Sequence, residues 1–550
     1  MHIPFNYKFI TVNRFRLYGQ NVFFTLLLFL VSCANRVIPS GGIKDIIPPE
    51  IVSSAPENYS INFDKKEIRV EFNESIQLEE LNKQLIISPL IDPLPEVTTN
   101  KRTLKIRFEN PLKENTTYTF NFGSAIADVH EKNIMENFLL VFSTGDYLDS
   151  LSVSGNITYA ENLKTEKGIM VMLYKEHDDS VPYKKIPDYF SRTDSTGNYK
   201  ISNISSGLFK IFALKDKNSN YLFDQPGEAI AFSDSLIAMS DSAQENLKLF
   251  VNPPGKIHLT NAAVEAPGKL RIIFNTRADS VSLEPLSFSK NPWQMEEYSL
   301  NRDTLMLWMN DTTIDSLRIA LLQNEQPFDT ALFVLKRKSS GRGSQAKAFS
   351  FMSGATGGIL DAGKDLLLQF NTPVETIDES KIIFKTDSVI TTGVIYSFTD
   401  SVKRNLLVNY KWKENSNYEL TFLPGAFKDM FTIENDTAKI SFHLKPATEY
   451  GTVLLKLKTD DKSPQYIIQL VNDKDEVIRE KSITSSAVVN FDFLNPGSYR
   501  FKIISDENKN NRWDTGNYLK KIQPEKVVYY MERITIRANW DLEQEWDLNR

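Results

Sequence analysis

The sequence predicts an all-β protein made of several small sandwiches in series. Three observations predict it. Past residue 48 the apolar residues recur with a period of two rather than 3.6. Pro, Gly, Asn and Asp punctuate these runs at short intervals. Long amphipathic helical patterns are absent. Short strands at this spacing belong to sandwiches or barrels rather than to βαβ units. Length points the same way: 550 residues exceed what one core holds, and about three to five domains are expected.

The chain begins with a leader pattern. Lys8, Arg14 and Arg16 precede an uncharged apolar run over residues 22–31. That run falls short of the roughly 20 apolar residues a permanent span requires. A basic stretch, a short apolar core and a small residue before a cut site describe a secretory signal. Cys33 is the only cysteine, so neither a disulfide framework nor a cysteine-based metal site is available. Leu30-Val31-Ser32-Cys33 resembles the lipobox of bacterial lipoproteins. The resemblance implies diacylglycerol on the Cys33 sulfur, cleavage before it and acylation of the new amine. Several acyl chains at about 0.8 kcal/mol per buried CH₂ make a stable membrane anchor. Ala34 follows, not the Asp that retains enterobacterial lipoproteins at the inner membrane, so the outer membrane is favoured. The acidic cluster that marks Bacteroidota surface lipoproteins does not follow Cys33, and the choice of leaflet stays open.

The strands are legible in order. Glu67-Ile68-Arg69-Val70-Glu71-Phe72, Leu104-Lys105-Ile106-Arg107-Phe108 and Tyr118-Thr119-Phe120-Asn121-Phe122 alternate. Leu366-Leu367-Leu368-Gln369-Phe370 and Val453-Leu454-Leu455-Lys456-Leu457 are denser, a pattern expected of strands buried on both faces. Two kinds of repeat emerge. Segment 48–146 carries Phe72-Asn73-Glu74-Ser75-Ile76, then Leu112-Lys113-Glu114-Asn115-Thr116-Thr117-Tyr118, and closes on Val141-Phe142-Ser143-Thr144-Gly145. It resembles bacterial Ig-like domains of the SbsA type. Leu368-Gln369-Phe370-Asn371, Trp412-Lys413-Glu414-Asn415-Ser416-Asn417-Tyr418 and Ile440-Ser441-Phe442 repeat its blocks, and a poorer copy starts at Lys269 and runs to Phe274-Asn275.

The second repeat is sharper. Gly207 to Lys215 leads into Asp216, Asn218, Asn220 and Asp224; Gly497 to Ser505 leads into Asp506, Asn508, Asn510 and Asp514. The spacing D-x-N-x-N-x-x-x-D is the same in both. With Thr193-Asp194-Ser195-Thr196-Gly197-Asn198-Tyr199 upstream, the first unit resembles a transthyretin or carboxypeptidase-regulatory type of sandwich. The fold class expected is therefore all-β, with tandem Ig-like and transthyretin-like sandwiches. The expected boundaries are 1–32 leader, 33–47 tether, 48–146 Ig-like, 147–250 transthyretin-like, 251–350 divergent Ig-like, 351–446 Ig-like and 447–550 transthyretin-like.

The two Asp/Asn loops are the candidate sites. Ca²⁺ takes six to eight oxygens, which loops supply from alternate residues. Tyr221 and Asn511 stand where a glycine is usual, and Gly227 and Asn517 where a bidentate Glu is usual. The competing reading is a hairpin whose Asp and Asn side chains bond their own backbone; both readings remain. His2, His130, His177, His258 and His443 share no ligand spacing. No nucleophile elbow, zincin, P-loop or dinucleotide-binding pattern occurs, so no catalytic residue is assigned. Asp followed by Ser or Thr and a small residue recurs, as at Asp149, Asp179, Asp194, Asp234, Asp279 and Asp315. This resembles the O-glycosylation sequon of Bacteroidota, and it equally describes a turn entering a strand.

A net charge of −6 over this length, without a basic patch, excludes nucleic-acid binding. The expected function is a non-catalytic, lipid-anchored scaffold or interaction module of the envelope. Its partners would be the membrane and other envelope proteins, such as an outer-membrane assembly or secretion complex. A carbohydrate-binding lipoprotein using Trp293, Trp308, Trp412, Trp513, Trp540 or Trp546 is the alternative, and a hydrolase is a third reading.

Overall fold

The computed structural model describes residues 44–549 apart from 137, 312, 336–347 and 461. The leader, Cys33 and most of the tether lie outside the described residues. Among the described residues the chain is nearly all strand; its helices are two four-residue turns, Leu81–Gln84 and Val181–Lys184, and two 3₁₀ turns. No described helix is long and apolar enough to cross a membrane. The described residues form two compact units, one within residues 44–146 and one dominated by residues 147–549.

In the first unit, Ile51–Ala55, Glu67–Phe72, Thr103–Arg107 and Glu96–Asn100 are neighbours in that order. Ile68 opposes Ile106 and Val70 opposes Leu104, so the alternation in sequence becomes one buried face. Phenylalanine rings fill the interior. Phe142 stacks with Phe120 at 6.0 Å, and Phe138 with Phe122 at 5.4 Å.

Among the described residues, four sandwich cores and two smaller clusters lie in the second unit. Leu151–Tyr159, Met170–Tyr174, Tyr189–Arg192, Asn198–Ile204, Gly207–Leu214, Ala229–Phe232 and Leu247–Val251 enclose the first, centred on Val171, Ile211 and Ala231. The next two lie around Leu270, Ile272 and Phe333, and around Leu368, Phe370 and Tyr418. The last lies between Gly451–Lys458, Ala487–Leu494 and Asp541–Asp547 on one side, and Tyr466–Asn472, Val477–Ile483, Gly497–Ser505 and Val527–Tyr529 on the other.

The Phe-Asn signature has a physical cause. Asn73, Asn275 and Asn371 each end a core strand, and each Oδ1 accepts a backbone N–H, from Glu50, His258 and Ser350, at 2.8–2.9 Å. Each Asn also donates its own N–H back to that residue's carbonyl. One amide side chain thus fixes the register of an incoming strand, which explains why the poorest sequence copy, at Asn275, still folds this way.

The dense runs behave differently from expectation. Leu367 is 37 % exposed, and Leu366–Phe370 alternates strictly between buried and exposed; Gly451–Lys458 alternates between buried and half-buried up to the exposed Lys458. These strands are fully buried on one face only. Among the described residues, Met170–Tyr174, Ala229–Phe232 and the short Ile126–Asp128 are buried throughout.

Candidate functional site

Each Asp/Asn loop is a hydrogen-bonded cradle. Asp216 Oδ1 accepts from the N–H groups of Asn218 and Ser219, and its Oδ2 accepts from Tyr221 N–H at 2.9 Å. Asn218 and Asn220 donate their amides to Asp224 at 3.2 and 2.7 Å. The second loop repeats this. Asp506, fully buried, accepts from the N–H groups of Asn510 and Asn511 and from the Gln465 amide; Asn508 and Asn510 donate to Asp514 at 2.5 and 2.6 Å. Tyr221 and Asn511, where a glycine is usual in such loops, both hold positive φ, 65° and 59°. The amide bonds, chiefly from Asn220, hold the Asp224 carboxyl below its ordinary range.

Sequence reasoning missed a fifth side chain in each loop. Glu228 accepts from the N–H groups of Lys217, Asp224 and Gln225; Glu525 accepts from Glu507 and Asp514. Both are buried. They tie the same two loop positions, yet lie at different distances along the chain from the first Asp, so no fixed-spacing motif could find them. Burial, with Asp514 and Asp506 nearby, pushes the Glu525 carboxyl up. Among the described residues, no group of three or more His, Asp or Glu side chains is placed to hold a metal ion.

The loops also place an aromatic ring. Phe223 and Trp513 each stand directly before the last Asp of their loop. Phe223 packs with Tyr183 at 5.2 Å, and Trp513 lies on Ile467, Ile504 and Val527, its indole N–H donating to Glu525 O at 3.0 Å. Tyr221 of the first loop also packs on Phe190 of the strand Tyr189–Arg192 at 5.4 Å, so each loop is a lid over part of its own sheet.

The C-terminal lid goes further and docks on the first sandwich of the same unit. Tyr518 is buried, with its ring 5.4 Å from Phe212, 5.1 Å from Phe232 and 6.0 Å from Tyr183. Its O–H donates to Asp179 O at 2.7 Å, and its N–H donates to Asn252 Oδ1 at 2.9 Å. Thr515 bonds Val251 O, and Gln523 bonds Phe232 O and Asp234. Lys521 pairs with Asp179 at 2.9 Å and lies 3.9 Å from the Tyr518 ring centre. This coverage is why Phe212, Phe232 and Phe250 are buried on the side of the sheet away from its own core. Adjacent sandwiches are also pinned. Arg404 donates to Glu297 at 2.5 Å and lies over Trp308, while Tyr450 donates to Asp361 at 2.7 Å. Burial and that Asp361 bond push the Tyr450 hydroxyl up to about 12.

Of the tryptophans, Trp293 and Trp308 are core residues, and Trp412, Trp513 and Trp546 are half-buried against cores. Trp540 is 52 % exposed and borders a pocket of about 230 Å³ with Thr452, Asp492, Asn539 and Asp541. Several Asp-Ser/Thr turns are capped by their own Asp, as Asp194 accepts from Thr196 N–H and O–H at 2.8 and 2.7 Å.

Comparison with known proteins matches one family model to part of the chain. Residues 45–144 match the family described as bacterial Ig-like domain, Big_5. No curated protein matches the chain. Among solved structures, the major pilin subunit BcpA of Bacillus cereus aligns at 10 % identity and TM-score 0.14, covering 72 % of this chain and 99 % of that one. The Bacillus anthracis TIE protein aligns at 10 % identity and 0.14, over 92 % and 76 % of the two chains. The S-layer protein rSbsC aligns at 12 % identity and 0.14, over 88 % and 67 %.

Proposed function

We propose that this chain is a non-catalytic interaction scaffold of the bacterial envelope, held to the outer membrane by lipid on Cys33. The observation that carries the scaffold reading is the Tyr518 docking. A buried aromatic plug, five hydrogen bonds that involve side chains and an ion pair hold the last sandwich against the first of the second unit. Flexible beads on a string need no such joint; a platform that presents surfaces in a set arrangement does. The anchor rests on the apolar run and the lone cysteine at its end, read by resemblance to Bacteroidota lipoproteins. The test is fractionation of Cys33→Ala beside the parent chain, with mass spectrometry of the N-terminal peptide. The expected outcome is loss of the acyl mass and of the membrane fraction; unchanged detergent partitioning refutes the anchor.

Carbohydrate binding is the second reading, favoured by the Trp540 pocket. A half-exposed indole beside two carboxylates and an amide offers an apolar face and acceptors suited to a sugar ring. A glycan panel bound by the parent protein and lost in Trp540→Ala would support it; no glycan retained by either would end it.

A further inference from the structure

The C-terminal strand, Asp541–Asp547, is an open sheet edge with a sided chemistry. It pairs in parallel with Gly451–Lys458, and no described strand pairs with its other side. An unpaired edge is a template for another strand, and proteins guard such edges with charge. The charge here is of one sign. Asp541, Glu543, Glu545 and Asp547 alternate along the strand and so share one face, while Leu542, Gln544 and Trp546 share the other. Among the described residues two lysines answer the four carboxylates: Lys456 pairs with Glu543 and reaches Glu545 at 3.7 Å, and Lys458 lies 3.4 Å from Asp547. The Glu545 side chain remains 77 % exposed.

Where the strand ends a groove of about 900 Å³ opens, bordered by Lys456, Lys458, Glu545 and Asp547 of the charged face as well as by apolar side chains. Leu457, Ala487, Tyr530 and Trp546 line it, and Met531, 96 % exposed, stands at its rim. An acidic edge repels the same edge of a second copy of this chain, so the charge that guards against self-pairing also selects a partner.

We propose that this edge is a strand-addition site for an extended segment of a partner protein that carries Lys or Arg at alternate positions. Main-chain hydrogen bonds extend the sheet. The basic side chains lie beside Asp541, Glu543 and Glu545, and an intervening apolar side chain enters the groove next to Trp546. The inference rests on the scaffold reading and names the kind of partner that a scaffold would hold.

The test uses the full chain in detergent and a fluorescent heptapeptide of alternating Lys and Val with one Phe, read by anisotropy. Its controls are the same peptide with Glu for Lys, and one N-methylated at alternate backbone nitrogens. The expected result is saturable binding of the Lys peptide that weakens with salt, with at least tenfold loss for each control. Asp541→Lys/Glu545→Lys, at exposed positions that leave the melting temperature unchanged, should also lose about tenfold. Equal binding of the Glu peptide, full affinity of the N-methylated peptide, or an unaffected double variant overturns the proposal. So does self-association through this edge. None of these results depends on the lipid, so Cys33→Ala fractionation judges the anchor separately.

Discussion

Replacing Tyr518 with alanine tests whether the last sandwich is truly seated on the first of the second unit. The ring is buried among Phe212, Phe232 and Tyr183. A tyrosine of this kind covers about 150–250 Å², and at about 25 cal/mol per Å² its removal costs about 4–6 kcal/mol. The O–H to Asp179 O bond adds about 1 kcal/mol, which Tyr518→Phe isolates. Because the ring belongs to a lid and not to a core, the loss should appear as undocking. The docking equilibrium should fall by about three to four orders of magnitude in Tyr518→Ala and by less than one in Tyr518→Phe. Hydrogen exchange by mass spectrometry reads this directly. Peptides covering residues 209–214 and 229–232 should gain exchange, while those covering Leu366–Phe370, in a different core, should not. Equal exchange in parent and Tyr518→Ala would refute the docking, as would uniform loss of protection throughout the chain.

Two other outcomes follow from the same geometry. Asp506→Ala, measured in chelator, should destabilise the last sandwich by about 3 kcal/mol, since two backbone N–H groups and the Gln465 amide lose a buried acceptor. Equal loss in millimolar Ca²⁺ marks a purely hydrogen-bonded loop, whereas a parent melting temperature that rises with Ca²⁺ and ceases to do so in the variant shows that the carboxylate holds the ion. Docking should also depend on pH at both extremes. Hydrogen bonds from Lys210 and then Lys521 hold the Asp179 carboxyl below its ordinary 3.8, so its contribution is present above that value and is lost as pH falls through the folded value. Burial raises the Tyr518 hydroxyl above its ordinary 10.0, so docking also weakens as pH climbs past that value. Protection of residues 229–232 that is flat from about pH 3 to about pH 11 would contradict both assignments.

Sequence alone determined what local chemistry fixes. Alternation at Glu67–Phe72 set which residues face the core, because successive strand side chains point to opposite sides. The Phe-Asn pairs marked strand ends, because an Asn amide bonds a neighbouring backbone wherever it stands. The Asp/Asn spacing identified both loops, because their bonds run mostly within a few residues. Tertiary structure decided the rest. Glu228 and Glu525 complete the loops from unequal distances along the chain. The dense run Leu366–Phe370 turned out half-exposed, while Ala229–Phe232 was buried throughout. The reason is that composition reports how apolar a strand is, whereas burial of its second face requires a cover. Here the cover includes Tyr518, hundreds of residues away, and only the folded chain brings it there.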